Sequence, residues 1–539
     1  MPSGASLRPT ADVPRADRTT SPASSRKRVL LLQAISRYQN NFVPLGLAYI
    51  AATCEGNGCE VRIIDASAPY ADYTIADLVK EVEAFGPDLL GFSLTTAYVN
   101  YSYDLMRLAA KVCPALIVAG GPHATVLPHE ALRSGAHVVV RGEGEHTCLD
   151  IVGHLRGQMD LSEIAGISYL SPEGRIVDNP PRPLIDDLDS IRFPARHLFR
   201  RADFVATPAD SIRYSTVITS RGCPGSCTYC ASQATWGRRV RWRSAQNVVA
   251  EIRSLTGQYG LQKFTFYDDC FTANRKRTQE LCRKLVEGAP GIQWNCITRV
   301  DMVDRDLLKT MKEAGCSHIN FGIESGDPET LTRIGRKISL EEAKTALRLT
   351  REAGITSSLN FMHGFPWDKP ETIRKTRHFI RQVAPLARNI VPAGILVPYP
   401  GTRIYEQFRD EYTLDDWWLK EEAPMSESMK LEPPLFQKVF FYYDPRRYDF
   451  FRYTREVTRE IDRTARLIGR HNLLFYAQGI APAPFHRPVR ELLFLLMMVS
   501  KALYNLSPRL ERALMRPFLL LAAKKEAVMR SRRVATQQP

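Results

Sequence analysis

The segment Arg221-Gly222-Cys223-Pro224-Gly225-Ser226-Cys227-Thr228-Tyr229-Cys230 puts three thiols on one short loop, in a C-x3-C-x2-C spacing. Three thiolates so arranged can hold three irons of a cubane [4Fe–4S] cluster, leaving the fourth iron without a protein ligand and open to a substrate or cofactor. Gly222 and Gly225 permit the tight path that such a loop needs. Zinc is the competing metal. It wants four N or S ligands, often as two C-x2-C pairs, and the chain has no second pair. Unconnected core cysteines are the other alternative, and the eight scattered cysteines elsewhere in the chain fit it.

The loop must be carried by something. It follows a predicted strand over Ser215–Thr219, and further strands are predicted at Phe264–Tyr267, Gln293–Ile297, His318–Gly322, Ser357–Met362 and Ala393–Val397, with helices between. Six βα units imply a full or partial barrel over residues 206–425, with functional groups at the carboxyl ends of the strands. Asp268, Asp269, Arg299 and Glu324 stand at such ends; a surface or barrel-rim carboxylate is the plain alternative for the three acids, and a rim Arg paired with a neighbouring acid for Arg299.

An earlier series precedes it. Strands at Val29–Leu32, Val61–Asp65, Asp88–Ser93, Leu116–Gly121 and Val138–Val140 alternate with helices at Leu45–Thr53, Ile75–Phe85 and Tyr103–Val112. That order predicts an α/β domain with a doubly wound parallel sheet over residues 28–155. Residues 156–205, with Pro180-Pro181-Arg182-Pro183, read as a linker with a small hairpin. Residues 1–27 read as a disordered tail rich in Ser, Pro, Arg and Thr, and residues 426–539 as a helical, aromatic and basic region.

The cysteine loop and its surroundings resemble the radical S-adenosylmethionine (SAM) superfamily over residues 210–405. Tyr229 matches the aromatic placed before the last cysteine, which packs near the adenine. Phe266-Tyr267-Asp268-Asp269-Cys270-Phe271 resembles the segment after the second strand that helps bind the methionine amino group. Asn295 to Arg299 resembles the third-strand segment and Phe321-Gly322-Ile323-Glu324-Ser325-Gly326 the fourth. His363-Gly364-Phe365-Pro366 looks like the turn after the fifth strand, and Pro398-Tyr399-Pro400-Gly401-Thr402 like the sixth-strand exit. The family usually continues after Pro366 with Gly-Glu-Thr, and here Trp367-Asp368-Lys369 intervenes. The resemblance implies a cluster on Cys223, Cys227 and Cys230. It also implies SAM contacts from Tyr229, Asp268, Asp269, Arg299, Glu324, Ser325 and Asn360. One electron delivered to the sulfonium would then release a 5′-deoxyadenosyl radical, with flavodoxin or ferredoxin as the electron donor.

A doubly wound sheet binds ligands outside the carboxyl ends of its strands. Here those ends carry Ser93-Leu94-Thr95-Thr96, Gly120-Gly121-Pro122-His123 and Arg141-Gly142-Glu143-Gly144-Glu145. None is the G-x-G-x-x-G dinucleotide fingerprint after the first strand, so a nicotinamide cofactor is disfavoured. With Pro44-Leu45-Gly46-Leu47-Ala48-Tyr49, these loops resemble the cobalamin-binding domain found upstream of many radical SAM cores. The resemblance implies cobalamin contacts from Leu45, Gly46, Ser93, Thr95, Gly120, Gly121, His123, Gly142 and Glu143. The D-x-H-x-x-G motif is absent, so no histidine is expected on cobalt. A vestigial scaffold that keeps the fold without the cofactor is the alternative.

Composition narrows the rest. Eleven cysteines in 539 residues are too few for a disulfide scaffold, and no apolar secretory segment opens the chain, which fits a reducing, cytoplasmic setting. The net charge of +15 concentrates at the two ends of the chain. With no second cysteine triplet and no RNA-binding motif, this disfavours nucleic acid as partner, and with it a tRNA-modifying enzyme. Leu492–Val499 and Phe518–Ala523 are apolar runs set among Arg and Lys, each far short of the roughly 20 residues that span a bilayer. A membrane-surface helix pair and a barrel cap are the two readings of that region. Phe440-Phe441-Tyr442-Tyr443 and Phe450-Phe451 are candidates for a pocket wall or for core. By resemblance the activity is methylation of an unactivated carbon or a phosphinate in a small-molecule or lipid substrate, using methylcobalamin. Ring-forming or oxidative cyclases share every motif above. A non-enzymatic sensor is disfavoured by the near-complete SAM pattern.

Overall fold

The computed structural model describes residues 26–34, 43–68, 71, 73–199, 215–391, 394–419, 449–480 and 482–506. Most of the N-terminal tail, Phe440–Tyr443 and the run Phe518–Ala523 lie outside the described residues. The chain forms two compact units. The first comprises residues 1–273, 283–292 and 398–430; the second comprises 274–282, 293–397 and 431–539.

In the first unit, β1 (Arg28–Gln33), α1 (Leu45–Gly56), β2 (Glu60–Asp65), α2 (Ile75–Phe85), β3 (Leu89–Ser93), α3 (Val99–Val112), β4 (Leu116–Gly120), α4 (Pro122–Val126), α5 (Pro128–Arg133), β5 (Val138–Val140) and α6 (Glu145–Leu155) follow in order. The strands β1 to β5 are parallel, in the order 2-1-3-4-5. Val29, Leu30, Leu31 and Leu32 are all buried, as a strand covered on both faces requires. α1 packs with α6 and α2 with α3. α2 starts on a capping box between Thr74 and Asp77 and stops at Gly86, which is left-handed. In this order the strand sequence reverses between β1 and β3, and the ligand crevice of such sheets opens there.

The hairpin expected within residues 156–205 forms, as β6 (Ile167–Leu170) and β7 (Ile176–Asp178). It is not a spacer, however. β6 pairs antiparallel with β5 and extends the sheet to seven strands. Val138, Val139 and Val140 are buried, and β6 supplies partners for the backbone groups that would otherwise face an open edge.

The same unit holds β8 (Thr216–Val217), β9 (Ser220–Arg221), α7 (Ser232–Trp236), β10 (Arg241–Trp242), α8 (Ala245–Tyr259) and β11 (Lys263–Phe266). β8 pairs parallel with β11, and β9 antiparallel with β10. The single strand expected at Ser215–Thr219 is thus two short ones. Asp268 takes the amides of Thr219 and Ser220, at 2.6 and 3.2 Å, and turns the chain between them.

After α9 (Arg275–Gly288), the second unit runs through β12 (Gln293–Arg299), α10 (Arg305–Glu313), β13 (Cys316–Glu324), α11 (Pro328–Arg333), α12 (Leu340–Glu352), β14 (Thr356–His363), α13 (Pro370–Val383), β15 (Asn389–Ile390) and β16 (Gly394–Ile395). Its strands are parallel, in the order β15-β14-β13-β12, with β16 also on β14. The sixth strand is shorter than the expected Ala393–Val397. In the first unit, α14 (Arg403–Tyr412) follows Thr402, its N-cap. The second unit ends in α15 (Arg455–Ile480) packed against α16 (His486–Leu506), as the helical reading of that region expected.

Candidate functional site

The three thiols lie on the loop after β9, half-buried and outside any disulfide, whereas the other eight cysteines are buried. Gly222 opens the loop at φ +99°, and a Cβ there would run into the Arg239 carbonyl, so only glycine fits. The loop's carbonyls are tied down one by one. Gln233 donates to Gly225 at 2.9 Å, the Ile404 amide to Thr228 at 3.0 Å, and Arg403 to Ser226.

Burial pushes the Cys230 thiol up to about 11, and Asp269, Cys227 and Cys223 add to the rise. This protein environment by itself favours the neutral thiol. Bound iron supplies the positive charge that reverses the balance. Among the described residues, no three His, Cys, Asp or Glu side chains converge to hold a single metal ion. A cubane needs no such convergence, because its irons take one thiolate each. Among the described residues the buried Thr228 hydroxyl has no hydrogen-bond partner, which leaves it available to a bound group. The residues present therefore fit a three-thiolate cluster.

The SAM candidates fall in both units. In the first, Tyr229 is half-buried on the loop. Asp268 is buried and accepts from Thr219 N, Thr219 Oγ1, Ser220 N and Ser220 Oγ, all in the turn before the loop. Asp269 is exposed and accepts from Ser232 Oγ at 2.6 Å. In the second, Arg299 grips Asp301 with two nitrogens, at 2.9 and 2.7 Å. Glu324 sits at φ +76°, beside a bulge at the end of β13, and pairs with Arg336 at 3.0 Å. A non-glycine residue held there stores strain of about 1–3 kcal/mol, which is characteristic of functional sites. Ser325 meets Thr376 Oγ1 at 3.1 Å and accepts from the Asp327 amide. Asn360 is half-buried and donates to Asn320 at 2.7 Å. The Trp367-Asp368-Lys369 departure has a local purpose: Asp368 accepts from Gly364 N, Phe365 N and Thr372 Oγ1 and so shapes the turn after β14.

At the doubly wound crevice, Gly121 stands at φ +94°, and a Cβ there would lie 2.9 Å from the Leu94 carbonyl. The Leu94 amide donates to Gly120 at 2.8 Å, tying the Ser93–Thr95 loop to the glycine turn. Gly46, one residue after the buried Leu45, and Gly142 both face open space where a side chain would stand. Open glycines at carboxyl strand ends suit a large ligand that approaches backbone closely.

His123 is 1% exposed at the start of α4. Its Nδ1 meets Thr96 Oγ1 at 3.0 Å, and its Nε2 meets Glu130 at 2.9 Å and Tyr103 OH at 3.1 Å. Trp418 Nε1 lies 3.1 Å from both Glu130 oxygens. Both ring nitrogens are therefore engaged by protein partners.

Sequence reasoning missed a group of buried charges around β8 to β10. Arg221 donates to Glu143 and Glu145 at 2.6 and 2.5 Å, and Arg241 donates to both oxygens of Glu143. Glu143, implied by resemblance as a cobalamin contact, spends both oxygens this way and on the Ile185 amide. Despite its burial, Arg241 and Arg221 hold its carboxyl below the usual range. Glu251 bridges Arg196 and Arg243 nearby, at 2.6 and 2.5 Å. The pair Glu143–Arg221 spans 78 residues, so no local pattern announces it.

A thiol triad at the head of a βα series, in one chain with a 2-1-3-4-5 sheet, fits the class of radical SAM enzymes that carry a cobalamin-binding domain. Residues 217–380 match the model of the Radical SAM superfamily, and residues 34–152 that of the B12 binding domain. An uncharacterized methyltransferase of Pyrococcus horikoshii is 34% identical over 67% of this chain and 78% of its own. Cytidylyl-2-hydroxyethylphosphonate methyltransferase of Streptomyces wedmorensis is 31% identical over 60% of this chain and 69% of its own. Anaerobic magnesium-protoporphyrin IX monomethyl ester cyclase of Rubrivivax gelatinosus is 28% identical, covering 70% and 68%. Among solved structures, the cobalamin-dependent SAM radical enzyme OxsB has the same fold, with a TM-score of 0.63 at 16% identity over 92% of this chain and 75% of that one. The chain belongs to the radical SAM superfamily, among its members with a B12-binding domain.

Proposed function

We propose that the protein is a cobalamin-dependent radical SAM methyltransferase acting on an unactivated carbon or a phosphinate of a small-molecule or lipid substrate. The observation that carries this reading is one chain holding both a three-thiol loop without a fourth ligand and a crevice lined by open glycines. Two methyltransferase-named relatives at 34% and 31% identity support the reaction class.

When bound, the cluster and SAM supply a 5′-deoxyadenosyl radical and cobalamin supplies a transferable methyl group. Cys223, Cys227 and Cys230 hold the cluster. By the resemblance, Tyr229, Asp268, Asp269, Arg299, Glu324, Ser325 and Asn360 would be the contacts to SAM. Leu45, Gly46, Ser93, Thr95, Gly120, Gly121 and Gly142 line the cobalamin crevice, with His123 behind it as a buried prop. The domains follow suit: residues 28–155 bind cobalamin, 206–425 form the radical core, and α15 of the C-terminal region packs against α13 and β15 of that core. Flavodoxin or ferredoxin supplies the electron, and the C-terminal helices make peripheral membrane contact.

The cyclase relative supports a second reading, a radical ring-forming or oxidative enzyme. Reconstituted holoenzyme given reductant, hydroxocobalamin and methyl-labelled SAM separates the two without knowledge of the substrate. Methyl transfer predicts label in cobalamin. Production of 5′-deoxyadenosine with unlabelled cobalamin would sink the methyltransferase reading.

A further inference from the structure

The loop after β5 has two sides. On one, Gly142, at φ +82°, faces open space. On the other, Glu143 and Glu145 receive the two arms of Arg221, which stands two residues ahead of Cys223. Arg241 lies opposite Arg221 on the β9–β10 ribbon and donates to Glu143 and to the Ile185 carbonyl. All four side chains are at most 7% exposed. The rings of Tyr49 and Trp236 lie 5.4 and 5.1 Å from the Arg221 guanidinium carbon and shut out water.

Burying four charges is a poor route to stability, because well-packed apolar residues do as well or better. What the charges add is geometry. A guanidinium fork accepts carboxylates only in its own plane, so two acids on one loop leave the ribbon a single seat. We propose that Glu143, Glu145, Arg221 and Arg241 form a clamp that seats the cluster loop on the loop bordering the cobalamin crevice. One element then positions both cofactors. The inference rests on the function proposed above and makes these four positioning residues, acting through the loops they join. A ligand pressed against the Gly142 side stiffens the loop that holds Arg221, and such coupling is reciprocal.

The test uses the full chain, anaerobically reconstituted, and reads the rate at which a strong chelator extracts cluster iron, with and without hydroxocobalamin. Glu145→Gln removes one charge at constant shape, and Arg221→Lys keeps the charge but loses the fork. Each should speed extraction at least about fivefold, the low end of typical site-to-site coupling. The double variant should be no faster than the faster single one, since both remove the same interaction. Hydroxocobalamin should slow extraction from the wild type and slow it less in Glu145→Gln, which keeps only the Glu143 half of the clamp. Where Glu145→Gln fails to fold, Arg221→Lys carries the comparison alone. Unchanged rates in the single variants, or fully additive ones, would overturn the clamp. A wild type that takes up no hydroxocobalamin defeats the function proposed above instead, and iron extraction still decides the clamp.

Discussion

Single residues decide whether the cluster can form. Gly222 is the sharpest case, because its backbone is left-handed and a Cβ would meet the Arg239 carbonyl. Gly222→Ala should therefore lower bound iron from about four per chain, the content of the cluster type, to near zero, as should Cys223→Ala, Cys227→Ala or Cys230→Ala. Cys282→Ala should leave iron untouched: that thiol is buried and desolvation pushes it up to about 12, so it is an inert neutral group. Wild-type iron in a variant lacking all three loop thiols would end the cluster assignment. His123 makes the opposite kind of prediction. Its two nitrogens are committed to Thr96, Glu130 and Tyr103. The cob(II)alamin form should thus show no nitrogen splitting from a protein imidazole. His123→Ala should cost about 1–3 kcal/mol by leaving buried partners unsatisfied while the cobalt spectrum stays the same. A spectrum that changes with His123→Ala would make the residue a ligand after all.

Elements carry the arrangement, and here the turns matter more than the helices. The turn after β14 rests on Asp368, whose carboxyl burial pushes up to about 6 although three donors favour its charged form. An unfolded Asp titrates near about 3.9. The native state therefore holds this proton more tightly than the unfolded chain, and the group's contribution falls as pH rises from about 4 to about 6. At about 1.36 kcal/mol per pH unit the loss is at most about 3 kcal/mol. Melting curves of the wild type and Asp368→Asn should diverge over that window, with the wild type losing ground as pH rises; parallel curves would refute the assignment. Much at this scale was legible in the sequence. The apolar runs of β1 to β5 and the alternating helices fell within a few residues of their observed bounds, because buried parallel strands write themselves as continuous Val, Leu and Ile. The cysteine loop was legible from spacing alone. What was not legible depends on distant partners. The break between β8 and β9 is imposed by Asp268, 48 residues from Ser220. The pairing of the 167–178 hairpin with β5, and the Arg221 clamp, likewise join segments with no shared local pattern. An Arg-Gly-Glu-Gly-Glu run at a strand end is the one signal of an acidic loop that pairs with a buried cation.

At the scale of the whole molecule, the charge of +15 and the C-terminal helices are where the proposed membrane contact can be tested. α16 packs against α15 and buries Met497 and Ser500, yet leaves Leu492, Leu495 and Val499 exposed, with Phe485 exposed just ahead. The spacing i, i+3, i+7 puts the three on one stripe of the helix. Arg487 stands exposed at its start, and Arg490 is bound to Glu491. No helix among the described residues is long and apolar enough to cross a membrane. An apolar stripe with basic flanks lies in the plane of an anionic bilayer surface, where each added Lys or Arg contributes about 1 kcal/mol until salt screens it. The full-length protein should therefore sediment with anionic liposomes at low salt and much less at high salt. Leu492→Ser with Leu495→Ser should weaken binding about a hundredfold or more, since two membrane-buried leucines contribute about 1.5–3 kcal/mol each. Removing residues 487–539 should abolish binding while cluster iron stays at its wild-type level. A barrel cap would behave differently, because truncation would then cost folding or solubility and the intact protein would ignore liposomes. If the stripe instead joins two copies of the chain, the double serine variant should shift a concentration-dependent dimer to monomer. Full-length protein left in the supernatant at low salt would remove the membrane from the list of partners and, with it, the main argument for a lipid substrate.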